Sequence, residues 1–182
     1  VVTPAVHESA MREVIWPTVR GLAAEGTPYT GFLYAGLMVA PDGTPNVLEF
    51  NCRFGDPETQ PIMARLESDL VELCEAALDG RLDEVEARWD PRAAVGVGLA
   101  AGGYPDAPRK GDAIHGLEAA AALPGKVFHA GTRLDGKGRV VTSGGRVLCA
   151  VGLGDTVEAA QAQAYALAGR ICWDGLHYRR DI

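Results

Sequence analysis

The sequence has no cluster of positive charge and no long apolar run. Its 17 lysines and arginines are scattered and are outnumbered by 24 aspartates and glutamates, which gives a net charge of -7. Because a nucleic-acid surface needs clustered cations to meet the phosphate backbone, nucleic-acid binding is disfavoured. No apolar run approaches the roughly 20 residues of a membrane helix, so we expect no membrane span. The net negative charge is still compatible with a small anionic substrate, since a few local cations can outweigh a distant acidic surface.

The cysteines lack the close spacing of a zinc site. Cys52, Cys74, Cys149 and Cys172 form no Cys-x-x-Cys pair, and each has apolar neighbours. We therefore expect four reduced, mostly buried thiols in a cytoplasmic protein. The N-terminus has neither an initiating methionine nor a signal-peptide pattern, which favours a chain that is part of a longer protein.

The composition is that of a globular protein, and the pattern along the chain predicts an α+β fold in two parts. Apolar residues make up 47% of the 182 residues, enough for a core without disulfides. A polar stretch marks a boundary, so we predict domains over residues 1–90 and 91–182. The second domain shows glycine-spaced strands and then a final helix, which we expect to begin at Asp155 and to stop at Gly175.

The first domain is predicted to begin with a helix and a β-hairpin. Thr3 and Pro4 favour a helix start, and Pro17 is expected to kink that helix. An Asp-Gly turn between two apolar runs predicts a hairpin with strands over residues 31–39 and 46–51. A further helical pattern follows this hairpin.

The stretch VLEFNCRFGDPETQ, residues 47–60, places many polar side chains on and just after the second strand. Alternation puts Glu49 and Asn51 on one face, joined by Arg53 if the strand persists. Their Cα atoms would be about 7 Å apart, so both side chains can reach one ion. The opposite face is predicted to enter a core through Leu48, Phe50 and Cys52.

Glu49, Asn51 and Arg53 together have the chemistry of a magnesium–nucleotide site. Carboxylate and amide oxygens are hard ligands suited to Mg²⁺, which takes one or two protein oxygens and completes its shell with water and phosphates. The guanidinium of Arg53 presents a fork that fits phosphate or carboxylate oxygens. The alternative for Glu49 and Asn51 is a half-exposed strand whose polar face is simply hydrated.

The residues after the strand lead into a helix start. Gly55 allows a sharp turn, while Asp56 and Pro57 suit an N-cap and a first helical turn. A helix N-terminus can accept an anion or a carboxylate. Asp56 and Glu58 either complement the helix dipole or hold the ammonium group of a substrate, and their spacing does not choose between these roles.

The segment RFGDPETQ, residues 53–60, resembles the signature of the phosphoribosylamine–glycine ligase family, also called glycinamide ribonucleotide synthetases. YTGFLYAGLM and LEFNCRFGDPE, then AAGGYP, HAGT and SGGRVLCAVGLG, resemble the same family in the same order over essentially the whole chain. The resemblance implies the C-terminal half of an ATP-grasp domain, followed by a small mixed sheet-plus-helix C-terminal domain. It also implies a partner, the missing N-terminal part of the same enzyme.

The reaction implied by the resemblance belongs to de novo purine biosynthesis. Glycine is ligated to 5-phosphoribosylamine to give glycinamide ribonucleotide, with ATP converted to ADP and phosphate. The glycine carboxylate attacks the γ-phosphoryl group, and the amine then displaces phosphate from the glycyl phosphate. No protein nucleophile is needed, which agrees with the lack of a Ser/His/Asp or Cys/His arrangement.

The resemblance also implies a role for each candidate site residue. Glu49 and Asn51 match metal ligands that hold Mg²⁺ or Mn²⁺ against the oxygens of ATP, the co-substrate. Arg53 would steady the transferred phosphoryl group or the glycine carboxylate. The amino-acid pocket would be shaped by Gly55, Asp56 and Glu58.

Several alternatives stay open at the level of sequence. The chain is compatible with a non-catalytic ATP-grasp fragment that only binds nucleotide or packs on a partner, or with an ATP-grasp carboxylate–amine ligase for another acceptor. Gly144, Gly145 and Arg146 suit either a phosphate contact or a plain hairpin turn. His115 and His129 are expected to make structural hydrogen bonds, with a contact in the substrate cleft as the alternative.

Overall fold

The computed structural model describes residues 2–182 and confirms the α+β class. The helices in chain order are α1 (Pro4–Ala10), α2 (Trp16–Ala24), α3 (Thr59–Arg65), α4 (Leu70–Leu78), α5 (Leu117–Ala121) and α6 (Val157–Ala168). The strands are β1 (Tyr34–Val39), β2 (Pro45–Asn51), β3 (Ala93–Ala100), β4 (Lys126–His129), β5 (Thr132–Leu134), β6 (Val140–Thr142) and β7 (Arg146–Gly154). Among the described residues, every helix is too short or too polar to cross a lipid bilayer.

The chain forms two compact units that are not simply its two halves. The first unit contains the chain up to Asp56 together with Asp69–Glu86, and the second contains Pro57–Ser68 and Ala87–Ile182. Helix α3 therefore belongs to the second unit, although it follows directly from the polar stretch at the end of β2.

The first unit opens with a helical path whose winding changes midway. Helix α1 is capped by Thr3, whose hydroxyl accepts a hydrogen bond from the amide of Val6 at 3.3 Å. A wider π-helical turn, Met11–Ile15, connects α1 to α2. Pro17 has no amide hydrogen and its ring crowds the preceding turn, and a π turn is one way for a helix to absorb both effects. The expected disturbance by Pro17 thus lies one turn upstream of it.

Strands β1 and β2 form the predicted antiparallel hairpin, with a bulge beside Gly36. Gly36 pairs with Glu49, whereas the next residue, Leu37, pairs with Val47. Leu48 is therefore the extra residue of the bulge. Bulges turn the strand locally and re-aim the side chains next to them.

The prediction that Leu48, Phe50 and Cys52 enter a core is wrong. Leu48 is 65% exposed, Phe50 is 43% exposed, and Cys52 is exposed as well. A two-stranded sheet buries one of its faces only when further strands or another layer cover that face. The prediction of mostly buried thiols fails too, since Cys149 is the one buried cysteine of the four.

The second unit is built around β7, the central strand of a three-stranded antiparallel sheet. Strand β7 pairs with β3 on one side and β4 on the other, while β5 and β6 form a separate two-stranded sheet. Helix α6 contributes to the core of the sheet. Side chains that are fully buried in this core include Val97, Leu99, Leu148 and Leu167.

Helix α6 begins and ends at other residues than predicted. Its N-cap is Thr156 and not Asp155. The Thr156 hydroxyl accepts a hydrogen bond from the amide of the third helical residue at 3.1 Å. The helix ends at Ala168 with Gly169 as its C-cap, so Gly175 belongs to a later turn. Aspartate and threonine both make good N-caps, so the preference for Asp155 over the neighbouring threonine had no firm basis in residue type.

Gly152 marks a close approach between β7 and α6. A Cβ on Gly152 would meet the carbonyl oxygen of Ala160 and lie 2.5 Å from the amide nitrogen of Ala164. Gly152→Ala is therefore expected to lower the free energy of unfolding by about 3 kcal/mol, because helix backbone cannot yield as a flexible side chain would. Urea unfolding of the variant beside the wild type measures this loss.

Gly98→Ala is the matched control. Gly98 also lies in a strand, β3, but a Cβ there would have no atom within 4 Å. The effect of alanine on the unfolded chain is the same at both positions, so Gly98→Ala should change stability by less than about 1 kcal/mol. Equal losses in the two variants would contradict the assigned contact between Gly152 and α6.

Candidate functional site

Glu49 and Asn51 lie on the same face of β2, as alternation predicts, and are hydrogen-bonded to each other. The side-chain amide of Asn51 donates from Nδ2 to Glu49 Oε1 at 3.1 Å. Glu49 is exposed and Asn51 is half-buried at the end of the strand. The pair thus brings a carboxylate and a carboxamide side chain together at the surface. This donor set fits a hard divalent cation such as Mg²⁺ or Mn²⁺, which also takes phosphate and water oxygens.

Gly36, on the neighbouring strand, lies directly opposite Glu49. A Cβ on Gly36 would be 3.1 Å from Glu49 Cγ and 3.6 Å from the Glu49 carbonyl oxygen. The missing side chain therefore leaves room for the side chain of Glu49. Sequence reasoning missed Gly36, and the available signal was a glycine inside an otherwise apolar strand.

Arg53 does not share the strand face, because β2 ends at Asn51 and Arg53 lies in the following bend. The guanidinium of Arg53 is exposed and donates from Nη1 to the carbonyl oxygen of Phe54 at 2.9 Å. The ring of Phe54 packs against Phe32 with a centroid distance of 4.2 Å. The side chain of Arg53 is therefore held by the backbone of Phe54, and its direction does not follow from strand alternation.

Gly55, Asp56 and Glu58 differ in their surroundings. Gly55 is buried, Asp56 is exposed, and Glu58 is half-buried. Gly55 and Asp56 belong to the first unit, as do the residues of β2, whereas Glu58 belongs to the second. Glu58 is the N-cap residue of α3 and makes no side-chain hydrogen bond to the helix backbone. Because α3 has seven residues, its dipole alone provides only a weak site for an anion.

Helix α3 is fastened to the second unit by contacts at both of its ends. Near its start, Pro61 packs against β3 at Gly96, where a Cβ would be 2.9 Å from Pro61 Cγ. At its end, Arg65 donates from Nε and Nη2 to the carbonyl oxygen of Asp90 at 3.0 and 2.9 Å. The Asp90 carboxylate accepts hydrogen bonds from Arg92, which lower the pKa of Asp90 to about 2. The carboxylate is therefore ionised at neutral pH and keeps its partner.

The glycine-rich turn before β7 is not the plain hairpin turn considered from the sequence, because β6 and β7 belong to different sheets. Its glycines allow close packing: a Cβ on Gly144 would be 3.1 Å from the Cα of Gly131, and a Cβ on Gly145 would meet the ring of Tyr104. Arg146 donates from Nε to the Tyr104 hydroxyl at 3.0 Å. A phosphate contact by Arg146 stays a prediction.

The two histidines considered from the sequence make hydrogen bonds within the second unit. The backbone of His115 exchanges hydrogen bonds with Cys172 at 2.9 and 3.1 Å. The His129 ring nitrogen Nδ1 lies 3.1 Å from the Thr132 hydroxyl oxygen. The ring contact of His129 agrees with a structural hydrogen bond, whereas the contacts of His115 involve only its backbone, so the role of the His115 side chain stays a prediction.

Two parts of the chain match known protein families. Residues 1–59 match the family described as "Phosphoribosylglycinamide synthetase, ATP-grasp (A) domain". Residues 94–182 match "Phosphoribosylglycinamide synthetase, C domain". The pair Glu49 and Asn51, together with Gly36 and Arg53, lies within the first match.

Relatives and a solved structure resemble the chain over its whole length. The phosphoribosylamine–glycine ligases of Vibrio vulnificus (strain YJ016) and Pseudomonas aeruginosa are 65% and 66% identical to it over all 182 residues. The crystal structure of phosphoribosylamine–glycine ligase from Thermotoga maritima superposes with a TM-score of 0.83 at 42% identity and covers 100% of the chain. The chain spans 42% of the length of each of the two relatives and 44% of the solved chain.

Proposed function

We propose that this chain, which belongs to the phosphoribosylglycinamide synthetase family, is the C-terminal portion of a ligase that joins glycine to 5-phosphoribosylamine with ATP. The products are glycinamide ribonucleotide, ADP and phosphate, and the reaction is a step of de novo purine biosynthesis. The observation that carries the proposal is the 3.1 Å hydrogen bond between Asn51 and Glu49, on an open strand face. It holds an acidic and an amide side chain ready for the metal that accompanies ATP.

Glu49 and Asn51 would hold Mg²⁺ or Mn²⁺ through carboxylate and amide oxygens. When bound, such an ion neutralises the negative charge that develops on ATP oxygens during phosphoryl transfer. The hydrogen bond between the two side chains restricts their rotamers before any ligand arrives, so less conformational entropy is lost on binding. Arg53 would orient a phosphoryl oxygen or the glycine carboxylate with its planar fork.

The substrates supply the reacting groups. The glycine carboxylate attacks the γ-phosphorus of ATP, the bond to the bridging oxygen breaks, and ADP leaves with that electron pair. The amine of 5-phosphoribosylamine then attacks the carbonyl carbon of glycyl phosphate, phosphate departs, and the amine loses a proton. The chain would contribute binding and orientation, and Gly55 and Asp56, which belong to the same unit as Glu49 and Asn51, would shape the glycine pocket. A part for Glu58, which belongs to the second unit, stays a prediction from the family resemblance.

A further part of the same enzyme is proposed to cover the apolar face of β2, opposite to the face of Glu49 and Asn51. Leu48 is 65% exposed and Phe50 is 43% exposed, and large exposed apolar side chains of this kind mark a contact surface. The relatives that match the chain are more than twice its length, so they contain a segment able to supply that cover. We place the reaction in the cytoplasm, because none of the four cysteines forms a disulfide, which suits a reducing compartment.

The test of this function uses the completed ligase, defined here as this chain joined to the preceding portion of the Vibrio vulnificus relative. We expect ADP release only when glycine and 5-phosphoribosylamine are both present, and the intact Vibrio vulnificus enzyme serves as the positive control. ADP release with a different amine, and none with 5-phosphoribosylamine, would instead support a ligase for another acceptor. No release with any amine would support the non-catalytic module and overturn the proposal.

A further inference from the structure

The glycine at position 36 has no conformational reason to be glycine. Gly36 lies in strand β1, and its φ lies outside the positive range that disfavours side chains, in contrast to Gly31 and Gly43 on either side of the strand. An L-residue could therefore adopt its backbone geometry. The requirement for glycine must come from the space around it.

That space is filled by the side chain of Glu49. A Cβ on Gly36 would lie 3.1 Å from Glu49 Cγ, which is tighter than ordinary van der Waals contact. The three heavy atoms nearest to this Cβ position are Cγ, the carbonyl oxygen and the amide nitrogen of Glu49. Gly36 thus acts on one residue, and that residue is the proposed metal ligand.

Two contacts hold Glu49 in this position, although its side chain is exposed. Its carboxylate accepts a hydrogen bond from Asn51 at 3.1 Å, and its backbone is held by the ladder pairing with Gly36. The bulge at Leu48 directly precedes Glu49 and brings it into register with Gly36. A methyl group on residue 36 would therefore push Glu49 Cγ and disturb the contact with Asn51.

We propose that Gly36 is a positioning residue: by having no side chain, it allows Glu49 the rotamer that brings its carboxylate to Asn51 and to the cation. This inference rests on the proposed function of Glu49. It makes residue 36 a determinant of metal affinity without any contact of its own with metal or substrate.

The test measures Mn²⁺ binding to the completed ligase without turnover, by the electron paramagnetic resonance of free Mn²⁺ in the presence of a non-hydrolysable ATP analogue. Gly36→Ala is expected to weaken Mn²⁺ binding about tenfold, comparable to the loss of one hydrogen bond to a charged group. Gly36→Val should weaken it further, because its larger side chain displaces Glu49 more. The KM for glycine is expected to change less than the half-saturating Mg²⁺ concentration.

The matched control is Gly21→Ala in α2, where a Cβ meets nothing within 4 Å, and wild-type Mn²⁺ affinity is expected. Circular dichroism and the thermal midpoint show whether each variant is folded, and Gly36→Ala, the smallest change, decides the outcome if Gly36→Val does not fold. Folded Gly36→Ala with wild-type Mn²⁺ affinity would overturn the inference. Glu49→Gln distinguishes the proposed metal site from the proposed role of Gly36. If Glu49→Gln abolishes Mn²⁺ binding and Gly36→Ala leaves it unchanged, the metal site is supported and the role of Gly36 is contradicted.

Discussion

Glu49→Gln in the completed ligase is expected to lower kcat by about a thousandfold or more. Glutamine keeps the length of the side chain and an oxygen that can accept the hydrogen bond from Asn51. It removes the negative charge that attracts the cation. The cation stabilises the charge that develops in the transition state by several kcal/mol, and losing this corresponds to a rate about a thousandfold lower. Because Glu49 is exposed, the fold should not depend on it. Steady-state ADP release across a Mg²⁺ titration measures the effect.

The control for charge alone is Glu75→Gln. Glu75 is exposed on α4 of the same unit, so this variant makes the same change in net charge away from the proposed site. Wild-type turnover is expected. If Glu49→Gln turns over as fast as Glu75→Gln, Glu49 is not a metal ligand.

Arg53→Lys is expected to lower kcat/KM by about a hundredfold. Lysine keeps the positive charge but loses the planar fork that can engage two oxygens of a phosphoryl group or carboxylate. The loss of one oriented donor to developing negative charge has an effect of this size in other enzymes. Separate measurement of kcat and of KM for glycine assigns the role. A raised glycine KM with unchanged kcat indicates the carboxylate, whereas a lowered kcat indicates phosphoryl transfer.

Arg20→Lys is the companion variant for this prediction. Arg20 is exposed on α2 in the same unit, where its guanidinium lies over the ring of Trp16 at 5.8 Å from the centroid. A surface contact of this kind has only a small effect on stability, so wild-type kinetics are expected. If Arg53→Lys also had the wild-type kcat/KM, the proposed role of Arg53 in binding substrate would be contradicted.

The shared face of Glu49 and Asn51 could be predicted from the sequence, because the two-residue period of a strand is a local property. Burial of the opposite face could not. Alternation tells which side Leu48 and Phe50 take, but only the rest of the fold decides whether anything covers that side. The bulge at Leu48 was also invisible, since it depends on how two strands register across a turn.

The remaining differences have the same origin in long-range contacts. Gly36 is significant only because it lies opposite Glu49, and that pairing depends on the bulge. The membership of α3 in the second unit depends on Arg65 and Asp90, which are 25 residues apart in sequence. Arg53 lies in a bend next to Phe54, whose ring packs on Phe32, 22 residues earlier in the sequence. Family resemblance supplied the roles of these residues but not the neighbours that position them.

The joint action of Glu49 and Asn51 on one cation is tested most directly by Mn²⁺ binding in the completed ligase with the ATP analogue. We expect tight binding by the wild type, at least tenfold weaker binding by Glu49→Gln and by Asn51→Ala, and non-additive effects in the double variant, because neighbours that share one ligand are coupled. Unchanged Mn²⁺ affinity in both folded single variants would contradict the site.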